Sequence, residues 1–295
     1  MDPLLESLFT TLASLSQPFS FAFMQQAFLI AFFIAIPTGL LSCFLVLKGW
    51  SLMGDAISHS VLPGVILAYV LAIPYVIGAF IAGLFCALAT GYITEHSRLK
   101  EDTVMGIVFS SMFALGLVLM TKIESGVHLD HILYGDMLGI SWQNIIESAV
   151  ISTGVILFIL IKGKDLLVYI FDHQHAKVIG CSVRFLHYAL LSILSLTIVA
   201  SLKAVGMILV IALLIAPGAI AFLLCKQFKY MLYVAVLIAT SCSLLGVYIS
   251  FFIDSAPAPT IIMLMSILFI MVFTYQQIKN KVVIKKQYQI VQKTE

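Results

Sequence analysis

Asp55 and His59 stand four residues apart in the run Lys48-Gly-Trp-Ser-Leu-Met-Gly-Asp55-Ala-Ile-Ser-His59-Ser-Val-Leu-Pro63-Gly64. On a helix that spacing puts both on one face, one turn apart. A carboxylate oxygen and an imidazole nitrogen make a donor set for a divalent first-row metal ion. The flanking residues are apolar enough to enter a bilayer, where such groups are costly and mark a route for an ion, a proton or a substrate. A plainer reading stands beside this one: Asp55 caps a helix N-terminus and His59 is a satisfied polar residue at a helix interface. Gly54 before the pair and Pro63-Gly64 after it suit a short or broken helix near a membrane surface.

The elements that must position the pair follow from composition. The chain is 62% hydrophobic and 10% charged, with mean hydropathy +1.12. That balance specifies an all-α, polytopic transmembrane helical bundle and excludes a soluble enzyme. Apolar runs at about 22–47, 55–72, 74–94, 103–121, 148–170, 187–203, 206–225, 230–252 and 259–278 give about nine spans. The second is short, and only Lys203-Ala-Val-Gly206 separates the sixth from the seventh, so eight or ten crossings stay open. Residues 1–295 read as one transmembrane domain. Residues 1–20 form an interfacial outer segment, broken at Ser16-Gln-Pro18, 171–186 a cytoplasmic segment, and 280–295 a cytoplasmic tail. No loop is long enough for a soluble domain and no Walker lysine is present, so the chain hydrolyses no nucleotide and has no catalytic residue. The start lacks the basic region of a cleavable signal. Cys43, Cys86, Cys181, Cys225 and Cys242 lie singly in apolar segments and read as small hydrophobes.

Basic residues set the orientation. With the C-terminus cytoplasmic, nine spans leave the N-terminus outside. Lys48, Arg98, Lys100, Lys162, Lys164, Lys177, Arg184, Lys226, Lys229 and the tail lysines 279, 281, 285, 286 and 293 then lie inside, and only Lys122 and Lys203 outside. Acids predominate outside, which suits the approach of a cation or of a protein carrying one; ordinary solvated loops account for any single one of them equally well.

Three further segments break the apolar pattern. Phe171-Asp172-His-Gln-His175-Ala176-Lys-Val-Ile-Gly180 reads as a short amphipathic cytoplasmic helix ending near Gly180, suited to docking in a partner's groove. Metal binding by His173 and His175 is disfavoured, because residues two apart do not face each other on a helix. The outer loop from His128 to Ser141, with Asp130, His131 and Asp136, offers donors for a surface metal site, but its interleaved Leu, Ile and Tyr favour a structured loop that meets a partner. In the seventh span Pro217-Gly218 breaks or kinks a helix. The freed carbonyls then line a pathway or are buried in protein, two readings of equal weight.

Ser51-Leu-Met-Gly-Asp55-Ala-Ile-Ser-His59-Ser-Val-Leu-Pro63-Gly64 resembles the signature of the permease family of bacterial manganese, zinc and iron ABC importers. Phe171-Asp172 with Ala176 and Gly180 resembles that family's coupling segment, and the run from Val205 through Pro217-Gly218 its late helix. The Pro257–Pro259 turn fits the last hairpin, although the family more often has a glycine near Ala258. The His128–Gly139 stretch looks more like the manganese/iron branch than the zinc branch. The resemblance implies a compact fold like that of vitamin B12 and iron-chelate importers, in a bacterial cytoplasmic (inner) membrane. It implies a second permease protomer, a cytoplasmic ABC ATPase docking around Asp172, His175, Ala176 and Gly180, and an extracytoplasmic metal-binding protein. It carries the metal-pathway acid and histidine onto Asp55 and His59.

No cofactor is expected to stay bound, no nucleic-acid partner is expected, and the divalent ion (Mn2+ or Fe2+ ahead of Zn2+) is cargo. Two protomers would together offer four donors. Two other classes compete: a gradient-driven secondary transporter using Asp55 and His59 as a proton relay, and a structural or receptor protein that transports nothing. The first predicts inverted internal repeats, which are not evident in the sequence.

Overall fold

The computed structural model describes residues 16–123, 135 and 137–294, with the side chains of His173 and of residues 282–294 left out. Most of the outer loop from His128 to Asp136, and residues 1–15, therefore lie outside the described residues. Helices account for almost everything described, and no strand occurs among the described residues. They are α1 (Ala22–Lys48), α2 (Met53–Val70), α3 (Tyr75–His96), α4 (Glu101–Lys122), α5 (Trp142–Phe171), α6 (His173–Val178), α7 (Val183–Leu224), α8 (Phe228–Ile253) and α9 (Pro257–Thr294). All but α6 are long and apolar enough to cross a membrane.

α7 is the element that reconciles eight long helices with about nine spans. Its 42 residues would measure about 63 Å if straight, twice the hydrocarbon thickness. It is not straight. Gly206 has φ 76° and ψ 168°, which ends one helical arm and starts another. His187, near the start, packs on Trp50. The Ala200 carbonyl accepts from Ser148, near the start of α5. The Leu223 carbonyl, near the end, accepts from Gln276. The α7 chain thus leaves the Trp50 end of the bundle, reaches the Trp142 end and comes back. α7 makes two crossings joined at Gly206, whose backbone lies outside the helical region.

The remaining helices alternate direction between those two ends. Among the described basic residues, only Lys122 and Lys203 fall at the Trp142 end. Gln26 of α1 fastens that end, accepting from Trp142 Nε1 (2.9 Å) and donating to the Ile140 carbonyl (3.2 Å) in the amide orientation that pairs donor with acceptor.

With lipid outside, apolar burial does not hold such helices together; close backbone approach and local hydrogen bonds do. Gly64 of α2 and Gly78 of α3 lie backbone to backbone, with Ala68 and Ala82 alongside, and a Cβ on either glycine would enter the other helix. Pro37 inside α1 removes the amide that would have bonded the Phe33 carbonyl. Ser152 of α5 supplies the missing donor at 2.7 Å, the side-chain repair that a low-dielectric interior demands. α9 continues helically past its apolar stretch to Thr294, as expected when propagation from an existing helix is cheap.

Candidate metal-ion site

α2 is tightly enclosed over its first three turns. Between Met53 and Ile66 every residue is buried except Asp55, His59 and Val65. The acid and the imidazole are therefore the accessible side chains of the first three turns of α2, which are otherwise packed. Their side chains are 32% and 28% exposed, and His59 Nε2 lies 3.3 Å from Asp55 Oδ1.

Local sequence explains this placement. The α1 helix ends in a Schellman turn, with Gly49 left-handed (φ 77°) and Trp50 N–H reaching back to the Leu45 carbonyl. Met53 N–H then bonds the Trp50 carbonyl and opens α2. Leu52 is the N-cap, and no side chain caps this terminus. Asp55 does not act as a cap. It sits in the first turn, where the helix dipole favours a carboxylate.

Behind the pair, contacts are tight. Gly54 packs on Leu214 of the second α7 arm. Gly83 of α3 faces Ile57, and Gly116 of α4 faces Leu62 and Pro63. In front, the His59 ring lies between Phe109 (5.9 Å, stacked) and Phe113 (5.2 Å, edge-on) of α4. These two phenylalanines fix the ring plane; in the sequence only their four-residue spacing, which marks one helix face, sets them apart. His59 Nδ1 is buried and has no hydrogen-bond partner, an exception to the usual pairing of buried polar atoms. Pro63, buried one turn on, withholds the amide that would bond the His59 carbonyl. Carboxylate, imidazole and an uncommitted carbonyl thus come from two consecutive turns. Among the described residues no cluster of three or more His, Cys, Asp or Glu side chains forms, so one chain presents two side-chain donors here.

The other segments singled out by sequence fall elsewhere. Asp172 caps α6, its Oδ1 accepting from the Gln174 and His175 amides at 2.9 Å each. Gly180 (φ 84°) closes α6 in a second Schellman turn, with Cys181 N–H on the Ala176 carbonyl at 3.0 Å. Ala176 is fully buried, whereas Val178 is 83% and Phe171 68% exposed. His175 is exposed. α6 is a small, rigid, apolar-tipped protrusion at the Trp50 end. Pro217 and Gly218 are buried in the second α7 arm, where a Cβ on Gly218 would stand 2.5 Å from the Ser42 carbonyl of α1. They let α7 lie directly on α1.

Residues 20–276 match the ABC 3 transport family. The chain is 56% identical over 265 residues to the chelated iron transport system membrane protein YfeD of Yersinia pestis, covering 90% of this chain and 89% of that one. It is 47% identical over 256 residues to the manganese transport system membrane protein MntB of a Synechocystis strain, covering 87% and 84%. Among solved structures it resembles PsaBC from Streptococcus pneumoniae in complex with a Fab, at 36% identity and a TM-score of 0.80, covering 89% of this chain and 95% of that one. A match over nearly the whole span of helices, with the same fold, settles the question of kinship: this multi-pass membrane chain belongs to the ABC 3 transport family.

Proposed function

We propose that this chain is the membrane-spanning subunit of an ATP-driven importer of a divalent transition-metal ion, in which Asp55 and His59 hold the ion in transit. The observation that carries the reading is the pair itself, 3.3 Å apart and accessible within the packed first turns of α2. Two copies around a two-fold axis supply two carboxylates and two imidazoles, enough to replace part of an ion's hydration shell. α4 suits the second copy's approach: it flanks the pair and keeps only Val104, Met105 and Gly116 buried.

Mn2+ and Fe2+ fit a donor set without thiolate better than softer ions do, and the relatives named for iron and manganese transport support them. Zn2+ binds the same donors, so discrimination rests on geometry and on the protein that delivers the ion. The ligands must release as readily as they capture. Imidazole ligates only when neutral, so transport weakens on acidification.

A cytoplasmic ATPase subunit docks on the segment Asp172–Gly180, with His175, Ala176 and Gly180 shaping its surface, and an extracytoplasmic metal-binding protein delivers the ion to the opposite face. The Lys- and Arg-rich Trp50 end is cytoplasmic under the positive-inside rule. That places the N-terminus outside and the C-terminus inside, in a bacterial cytoplasmic (inner) membrane. Pro63 keeps the His59 carbonyl available, while Pro217 and Gly218 hold α7 on α1.

The test is Mn2+ uptake by vesicles containing this chain co-purified with its ATPase. Uptake that requires ATP is expected. Equal uptake driven by a proton gradient alone rejects the importer in favour of a secondary transporter.

A further inference from the structure

We infer that a knot of aromatic and charged side chains at the Trp50 end, made by Lys48, Glu101 and His187 around the buried Trp50 and Tyr169, links α2 to the docking segment and carries that segment's movement to Asp55 and His59. The inference rests on the ATP-driven reading proposed above and names the residues through which it acts.

The α6 segment makes its principal contacts with α5 and α7, the helices it joins. A displacement of α6 therefore enters the bundle through the end of α5 and the start of α7. Those ends are tied together just beneath α6. Tyr169, in the last turn of α5, has its hydroxyl 2.8 Å from Nδ1 of His187 in α7. The same two rings meet the α1–α2 connection. His187 lies edge-on to Trp50 with ring centres 5.5 Å apart. The Lys48 ammonium sits 4.7 Å from the centre of the Tyr169 ring and 5.6 Å from that of Trp50, within cation–π range. Glu101, in the first turn of α4, is near enough to Lys48 and Tyr169 to act on both electrostatically. Gly91 of α3 makes room for the imidazole, since a Cβ there would stand 3.2 Å from His187 Nε2.

Two features make this a transmission point and not ordinary packing. Tyr169 and Trp50 are 1% and 2% exposed, so the two rings at the centre of the knot are close-packed and pass displacement on with little slack. Trp50 is also joined by its own hydrogen bonds to the end of α1 and the start of α2, five residues before Asp55. Glu101 reaches the helix that carries Phe109 and Phe113. A shift at α6 therefore moves the donor pair and its aromatic wall together, through a contiguous network of packed groups.

The experiment measures metal ions transported per ATP hydrolysed in vesicles containing the complete importer, for wild type, Tyr169→Phe, Lys48→Met and Lys48→Arg. Tyr169→Phe keeps the ring and loses only the hydroxyl; Lys48→Met keeps the stem and loses the charge. The ATPase rate is expected to stay within about twofold of wild type while the transport-to-hydrolysis ratio falls at least fivefold in both. Lys48→Arg, which restores a cation over the rings, is expected to recover the ratio. An unchanged ratio in Tyr169→Phe and Lys48→Met overturns the inference. So does a parallel fall of hydrolysis and transport with loss of the assembled complex, which is what a purely structural knot produces. Wild-type vesicles that take up no metal in response to ATP overturn the importer reading itself.

Discussion

The two sides of α2 are built on opposite principles. Its back is closed by glycines: Gly64 against Gly78, Gly54 against Leu214, and Gly83 of α3 against Ile57. These contacts leave no room for even one methyl group at Gly64, and they fix the helix as a rigid beam. Its front carries an acid and an imidazole with a single mutual contact of 3.3 Å, a ring nitrogen with no partner and one aromatic wall. The contrast shows how a weak, transient site is made precise. The donors can remain under-satisfied, ready for an ion, because the backbone behind them is held as one tightly packed body.

Breaking the back has the largest expected effect. Gly64→Ala or Gly78→Ala drives a methyl into the neighbouring backbone and costs about 1–3 kcal/mol or more. The melting temperature of the purified chain should fall by several degrees and uptake should be lost with it. Opening the front is gentler on the fold. Phe113→Ala removes the edge-on wall of His59, and metal affinity should weaken on the order of tenfold with the melting temperature little changed.

Gly180→Ala sharpens the comparison at a distance from the pair. A left-handed φ of 84° costs an L-residue about 1 kcal/mol. Binding of the ATPase subunit should weaken by a factor of about five, while metal binding to the isolated permease is unaltered. Ser152→Ala should do least. It strips the Phe33 carbonyl of its substitute donor, and intramembrane bonds of this kind average about 0.6 kcal/mol. Thermal melting should shift by only a degree or two.

The sequence makes the beam's cargo visible and hides much of its support. Asp55 and His59 stand out because polar side chains are rare in apolar runs, and their spacing alone places them on one face. The short helix at Asp172–Gly180 is legible for a related reason, since an N-capping acid and a terminal glycine have local meanings. The α7 hairpin is half legible. Two spans can be read around Lys203–Gly206, but not that a single non-helical residue, Gly206, turns the chain between them. The knot is invisible in the sequence. Its five members are scattered from residue 48 to residue 187, and only the packing of α1, α4, α5 and α7 brings them together. Phe109 and Phe113 are hidden for another reason: phenylalanine in a membrane helix carries no signal until its neighbour is known.

The most direct test concerns the ion and the imidazole. Electron spin-echo spectra of Mn2+ bound to the assembled importer report nitrogen nuclei bonded to the metal. The account predicts nitrogen modulation in the wild type that disappears in His59→Ala, with Mn2+ lost or shifted in Asp55→Asn. Bound Mn2+ whose nitrogen signal is the same with and without His59 contradicts it.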